Sequence, residues 1–246
     1  ESMDDRHASP PPHTQYGLPT SSRPLLGLTI LVVEDSRFAS EAIRLMCMHS
    51  GARLRRADCI ASARRHLKVY RPSAIIVDIG LPDGSGLDLI RELAVTKPRI
   101  GVILGLSADD RAPEKAAKAG ADGCLLKPLD SLALFQREIV AHLPADRQPA
   151  FPRAVRDEPI RPDRRAYHED ITHIADLLDD QPESRILDYV AQFLRGVALS
   201  AQDTPLAEAA QAFVQSRRSG APGDDLAVLA HLRALVHDRL HDRAVI

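Results

Sequence analysis

The chain has 246 residues, with 32 lysines and arginines against 34 aspartates and glutamates and a formal charge of -2. That length accommodates one large domain or two small ones, and the charge balance excludes a strongly basic nucleic-acid tail or an acidic disordered chain. Cys47, Cys59 and Cys124 are three in number and far apart, which argues against a disulfide framework or zinc knuckle and fits a reducing cytoplasm.

Residues 1–26 are polar and rich in proline, too poor in apolar area to offset the entropy of ordering them, and read as a flexible extension. They lack the apolar stretch of a signal peptide or membrane anchor, and no later run nears the roughly 18 apolar residues of a membrane helix. Residues 27–144 then alternate short apolar runs with helical patterns. The strands are expected at Thr29 to Val33, Arg53 to Ala57, Ala74 to Val77, Gly101 to Leu106 and Gly123 to Leu126. Each is followed by a segment with apolar residues at three- and four-residue spacing, such as Ile43 and Met46 or Ile90 and Leu93. Alternation of this kind predicts an α/β fold, a doubly wound, five-stranded parallel sheet covered on both faces. Ligands of such sheets bind beyond the carboxyl ends of the strands.

Residues 145–165 form a proline-rich linker, with Pro149, Pro152, Pro159 and Pro162 among charged residues. Beyond it, residues 166–246 carry four amphipathic helical patterns, Tyr167 to Asp179, Glu183 to Ser200, Pro205 to Arg217 and Asp225 to Arg243. The second presents a stripe of Ile186, Val190, Phe193, Leu194 and Val197, and the last one of Leu229, Leu232, Val236 and Leu240. Thr204 reads as an N-cap with Pro205 at the first helical position. The region is expected to be a smaller all-α bundle.

Polar residues gather at one edge of the apolar sheet: Glu34 and Asp35 after the first strand, Asp78 after the third, Ser107 after the fourth and Lys127 after the fifth. Three close carboxylates repel one another unless a divalent cation neutralises them, and an all-oxygen set suits Mg2+. A carboxylate such as Asp78 can attack phosphorus to give an acyl phosphate, with Lys127 and Ser107 placed to contact phosphoryl oxygens.

Val32-Val33-Glu34-Asp35-Ser36, Val77-Asp78 with Leu81-Pro82-Asp83-Gly84, Leu106-Ser107-Ala108, and Gly120-Ala121-Asp122-Gly123 running into Leu126-Lys127-Pro128 resemble the receiver domains of two-component response regulators. The resemblance spans about Leu28 to Leu143 and implies a flavodoxin-like receiver in which Asp78 takes a phosphoryl group from a histidine kinase or histidine phosphotransfer protein. It also implies Mg2+ bound by Asp35, Asp78 and the backbone carbonyl of Gly80, with Glu34 acting through water, and a cis peptide before Pro128. Two departures stand out. Cys124 occupies the switch position that usually holds an aromatic residue coupled to Ser107, and Gly80, Gly84 and Gly86 make the acceptor loop glycine-rich enough to loosen it.

In the helical region His168-Glu169 followed by Thr172 resembles one edge of a histidine-kinase dimerisation helix, but His173 replaces the expected proline, so His168 is taken as a surface residue. His237 and His241 stand one turn apart without a third metal ligand. Acidic residues exceed basic ones by about four beyond Ala150 and no helix-turn-helix signature is recognisable, which argues against nucleic acid. The leading expectation is therefore a cytoplasmic response regulator, not a turnover enzyme. Its helices would bind protein, including a second copy through themselves or through the face of the fourth helix, fifth strand and fifth helix. A DNA-binding transcriptional output is the alternative. A phosphohydrolase of the haloacid dehalogenase type expects a second aspartate where Gly80 stands.

Overall fold

The computed structural model describes residues 19–149, 160–180, 183–219 and 224–241. Most of the expected N-terminal extension and the middle of the linker lie outside the described residues. Strands β1 (Thr29–Val33), β2 (Arg53–Ala57), β3 (Ala74–Asp78), β4 (Val102–Ser107) and β5 (Gly123–Leu126) form one parallel sheet in the order β2-β1-β3-β4-β5. Helices α1 (Arg37–Ser50), α2 (Ile60–Val69), α3 (Gly86–Val95), α4 (Ala112–Ala119) and α5 (Leu132–Ala141) alternate with them.

Alternation along each strand divides the core in two. Ile30, Val32, Ile76 and Leu104 face one side, packed with Ile43 and Met46 of α1 and Phe135 and Ile139 of α5. Leu31, Val33, Ile75, Val77 and Ile103 face the other, against Ile60 of α2 and Leu89, Ile90 and Leu93 of α3. The edge strand β2 departs from the apolar pattern, because Arg53, Arg55 and Arg56 are exposed. Charge on an exposed strand discourages pairing with another chain.

Leu25 is fully buried in the α1/α5 core and its N–H bonds the Ser50 carbonyl at 3.0 Å. The last residues of the expected extension therefore belong to the fold, since an apolar side chain there gains more from burial than its short turn loses in entropy. Asp122, in the Gly120-Ala121-Asp122-Gly123 motif, ties β5 to β4: Asp122 Oδ2 accepts from Ile103 N at 2.7 Å and Arg99 holds the same carboxylate at 2.8 Å. Asp122→Ala leaves the Ile103 amide without that acceptor and is expected to cost about 1–3 kcal/mol, read from the midpoint of urea unfolding.

The second unit comprises α6 (Arg164–Asp179), α7 (Ser184–Ser200), α8 (Thr204–Ser219) and α9 (Asp224–His241). Its core joins Ile171, Ile174, Val190, Leu194, Val197, Leu206, Phe213, Leu232 and Val236. Ile186 is the exception to the predicted stripe and stays exposed. It lies in the first turn of α7, where the neighbouring α8 sends Arg217 to the Ser184 oxygens and Asp188 instead of an apolar side chain. Asp163, whose carboxylate accepts from Arg165 N, starts α6 three residues before the expected Tyr167. The start of α8 also differs from expectation: Thr204 lies inside the helix, and Asp203 Oδ1 accepts from Leu206 N. Tyr167 and Arg239 bond Asp203 as well, so one carboxylate joins α6, α8 and α9.

Candidate phosphoacceptor site

Parallel pairing in register brings the carboxyl ends of β1, β3, β4 and β5 to one edge of the sheet. The chain there leaves apolar strands for polar turns, so the side chains named from the sequence converge. Lys127 Nζ lies 2.5 Å from Asp78 Oδ2 and 2.8 Å from Glu34 Oε2. All three groups are buried, Glu34 with no exposed surface. Asp35 joins them: one oxygen each from Glu34, Asp35 and Asp78 lie within 4.8 Å of one another. Ser107 and Gly80 line the same cavity, of about 120 Å3. Asp78 Oδ1 accepts from Gly80 N at 2.8 Å, and Ser107 Oγ accepts from Asp109 N at 3.1 Å. The peptide before Pro128 is cis.

Burial pushes the Glu34 carboxyl well above the usual range; Lys127 opposes this, while Asp78 and Asp35 add to it. Burial also raises Asp35, helped by the Asp78 charge, to about 7. For Lys127, burial favours the neutral amine, but the carboxylates of Asp78 and Glu34 more than reverse this and keep it an ammonium. Fully ionised, the three carboxylates would carry more negative charge than one ammonium offsets, and burial with mutual repulsion holds Glu34 and Asp35 toward the protonated form. Glu34 Oε2 is buried without an aligned hydrogen bond despite its ion pair. A crowded oxygen-only set with one orphaned acceptor fits a hard divalent cation that keeps its waters.

The loop after Asp78 uses its glycines for close backbone approach. A Cβ at Gly86 would fall 1.9 Å from the Asp78 carbonyl oxygen, so only glycine allows α3 to start this close to the acceptor. Asp83, in the same loop, accepts from Ile60 N and Ala61 N at 2.9 Å each and holds the start of α2. Cys124 is a half-buried thiol on β5, pushed up to about 12 by burial, and its Sγ lies against the Gly105 backbone.

Sequence reasoning missed the contribution of the helical unit. Helices α6 and α7 pack on α1 and cover the acidic edge. Asp170 caps α1 from across the interface: it accepts from Ser36 Oγ at 2.7 Å, Arg37 N at 2.8 Å and Phe38 N at 3.0 Å. A carboxylate there satisfies orphan N–H groups and complements the helix dipole. The Tyr189 hydroxyl donates to Asp35 Oδ2 at 2.5 Å. Gln192, Arg195 and Gly196 of α7 and Arg218 of α8 line the cavity opposite Asp78. A carboxylate on the apolar stripe before Ile171 was a legible signal for Asp170; the others sit among ordinary surface residues of an amphipathic helix. His168 is exposed on α6, and Glu34, Asp35 and Asp78 form the one metal-capable cluster of three or more such side chains among the described residues, His237 and His241 forming none.

These residues fall within a stretch that matches known proteins. The profile of the response regulator receiver domain matches residues 30–138. The probable transcriptional regulatory protein TcrX of Mycobacterium tuberculosis is 34% identical over 107 residues, covering 41% of this chain and 44% of that protein. The KDP operon transcriptional regulatory protein KdpE of Escherichia coli is 30% identical over 99 residues, covering 40% and 44%. Response regulator MprA of a Mycobacterium species is 31% identical over 127 residues, covering 50% and 55%. The chain spans about half the length of the curated relatives it matches. Among solved structures, the receiver domain of sensor histidine kinase PA1611 from Pseudomonas aeruginosa, with magnesium coordinated in its active-site cleft, is 28% identical at a TM-score of 0.43, covering 47% of this chain and 97% of that one. Residues 30–138, with the strand-end carboxylates and the lysine in place, match the response regulator receiver domain.

Proposed function

We propose that Asp78 is the phosphoacceptor of a two-component relay, an assignment carried by the buried contact of its carboxylate with Lys127 inside a cluster of acids. A carboxylate oxygen of Asp78 attacks phosphorus, an O–P bond forms, the P–N bond to the donor imidazole breaks, and the leaving imidazole takes up a proton. Lys127, released from the Asp78 carboxylate by the loss of its charge, turns to a phosphoryl oxygen; the Ser107 hydroxyl donates to another. Mg2+, when bound, would be held by Asp35, Asp78 and the Gly80 carbonyl with Glu34 nearby, and would supply the positive charge that lets the carboxylates and phosphoryl oxygens share one cavity. The chain then stores a phosphoryl group instead of turning over a substrate, and Gly80 at the position of a second catalytic aspartate supports this over a phosphohydrolase.

The donor is a histidine kinase or histidine phosphotransfer protein. For the output we take the transcriptional reading over the protein-binding one, because relatives of this chain are named transcriptional regulators. No described helix is long and apolar enough to cross a membrane, which is compatible with a cytoplasmic regulator.

Acetyl phosphate with Mg2+ is expected to add one phosphoryl group to the wild-type chain and none to Asp78→Asn, as read by intact mass. Equal labelling of the two proteins would move the acceptor elsewhere. The transcriptional output is checked by salt-dependent gel shifts on genomic fragments; retention that shows no preference among sequences would return the helices to the protein-binding reading.

A further inference from the structure

We propose that the helical unit is the second half of the phosphoryl site: Arg195 of α7 and Arg218 of α8 bind the phosphoryl oxygens on Asp78, and Tyr189 orients Asp35, so that phosphorylation tightens the seating of the bundle. The inference rests on Asp78 being the phosphoacceptor.

The cavity between the two units is the first support. Its volume of about 120 Å3 holds several waters, so α7 covers Asp78 without filling the space that a phosphoryl group needs. Gly196 keeps that space. A Cβ there would already stand 3.4 Å from Lys127 Nζ, and any longer side chain would extend into the lysine. At Gly196 the helix therefore approaches Lys127 closely, while Gln192 reaches the loop at Gly80.

Charge is the second support. Four acids and four bases line the cavity. Lys115 is engaged by Asp109 at 2.6 Å, and Lys127 by Asp78 and Glu34. Arg195 and Arg218 have no ion pair among the described residues, and both belong to the helical unit. Two arginines without an ion pair among the described residues, lining the same cavity as Asp78, match a dianionic, three-oxygen group, since the planar fork donates to two oxygens at once.

Tyr189 is the third. Its hydroxyl donates to Asp35 Oδ2, and Asp35 contributes one oxygen to the cluster with Glu34 and Asp78. Hydrogen bonding to a metal-binding carboxylate fixes its orientation, and loss of such a partner typically weakens metal affinity by 10- to 100-fold. Tyr189 is thus a positioning residue acting through Asp35.

The test uses the full chain with beryllofluoride and Mg2+ as the phosphoryl probe. Calorimetry is expected to show binding to wild type, binding weakened about tenfold or more in Arg195→Gln and Arg218→Gln, and Mg2+ binding alone weakened about tenfold in Tyr189→Phe. Hydrogen exchange at the Arg37 and Phe38 amides, which Asp170 caps across the interface, is expected to slow when the probe binds wild type. Unchanged affinity in both arginine variants overturns the proposal, as does faster exchange at those amides, which would mean that the bundle is released. A wild-type chain that takes no beryllofluoride would instead remove the phosphoacceptor reading itself, and this inference with it. All three substituted side chains lie at the edge of the bundle, and coincident thermal unfolding of the variants separates lost affinity from lost folding.

Discussion

Lys127→Met is expected to lower the stability of the chain by about 3–5 kcal/mol above neutral pH without divalent cations, because it strips the counter-charge from two buried carboxylates. Lys127 Nζ touches both Asp78 and Glu34, and Glu34 has no exposed surface through which water could take over. Methionine keeps most of the volume, so the loss reads charge and not a cavity. Two conditions should restore stability. Acidification should do so because Glu34, already raised by burial, takes up its proton early and removes the uncompensated charge. Millimolar Mg2+ should do so by mass action, at about 2.7 kcal/mol when its concentration is a hundred times the dissociation constant. Urea unfolding at pH 8 and pH 5, with and without Mg2+, checks each part. A loss under about 1 kcal/mol at pH 8, with no response to either condition, would show that the carboxylates are not held by this lysine.

The acceptor edge was legible because it depends on local grammar repeated in order. Four apolar runs, β1, β3, β4 and β5, each end in a polar residue, and a doubly wound sheet puts those ends together whatever the details of packing. Asp78, Glu34, Asp35, Ser107 and Lys127 were therefore nameable from sequence, and the structure brings them to one cavity. The placement of the helical unit was not legible. Asp170 meets Ser36 across 134 positions and Tyr189 meets Asp35 across 154, and no periodicity relates partners so far apart. An amphipathic pattern says which face of a helix is buried against its own bundle, but not which polar residues of the other face meet a second unit.

Asp35→Asn is expected to make the metal-free chain more stable at pH 8, with the gain vanishing toward pH 4. Burial, with the Asp78 charge, raises Asp35 from its ordinary 3.8 to about 7, so between these values the folded chain holds a proton that the unfolded chain has lost. Stability from this group is therefore complete below about pH 4 and falls as pH rises through about 7. Above that the wild type carries an ionised Asp35 beside Glu34 and Asp78, and the asparagine variant does not. The difference should reach about 2–4 kcal/mol, and asparagine still offers an oxygen to the Tyr189 hydroxyl, so the change isolates charge from hydrogen bonding. Mg2+ reverses the order: it stabilises the wild type and leaves the variant, which lacks one of its ligands, nearly unmoved. Paired denaturation series over pH 4–8 with and without Mg2+ decide the matter, because a variant that gains nothing at high pH would mean that Asp35 is not under the electrostatic load that makes a cation necessary there.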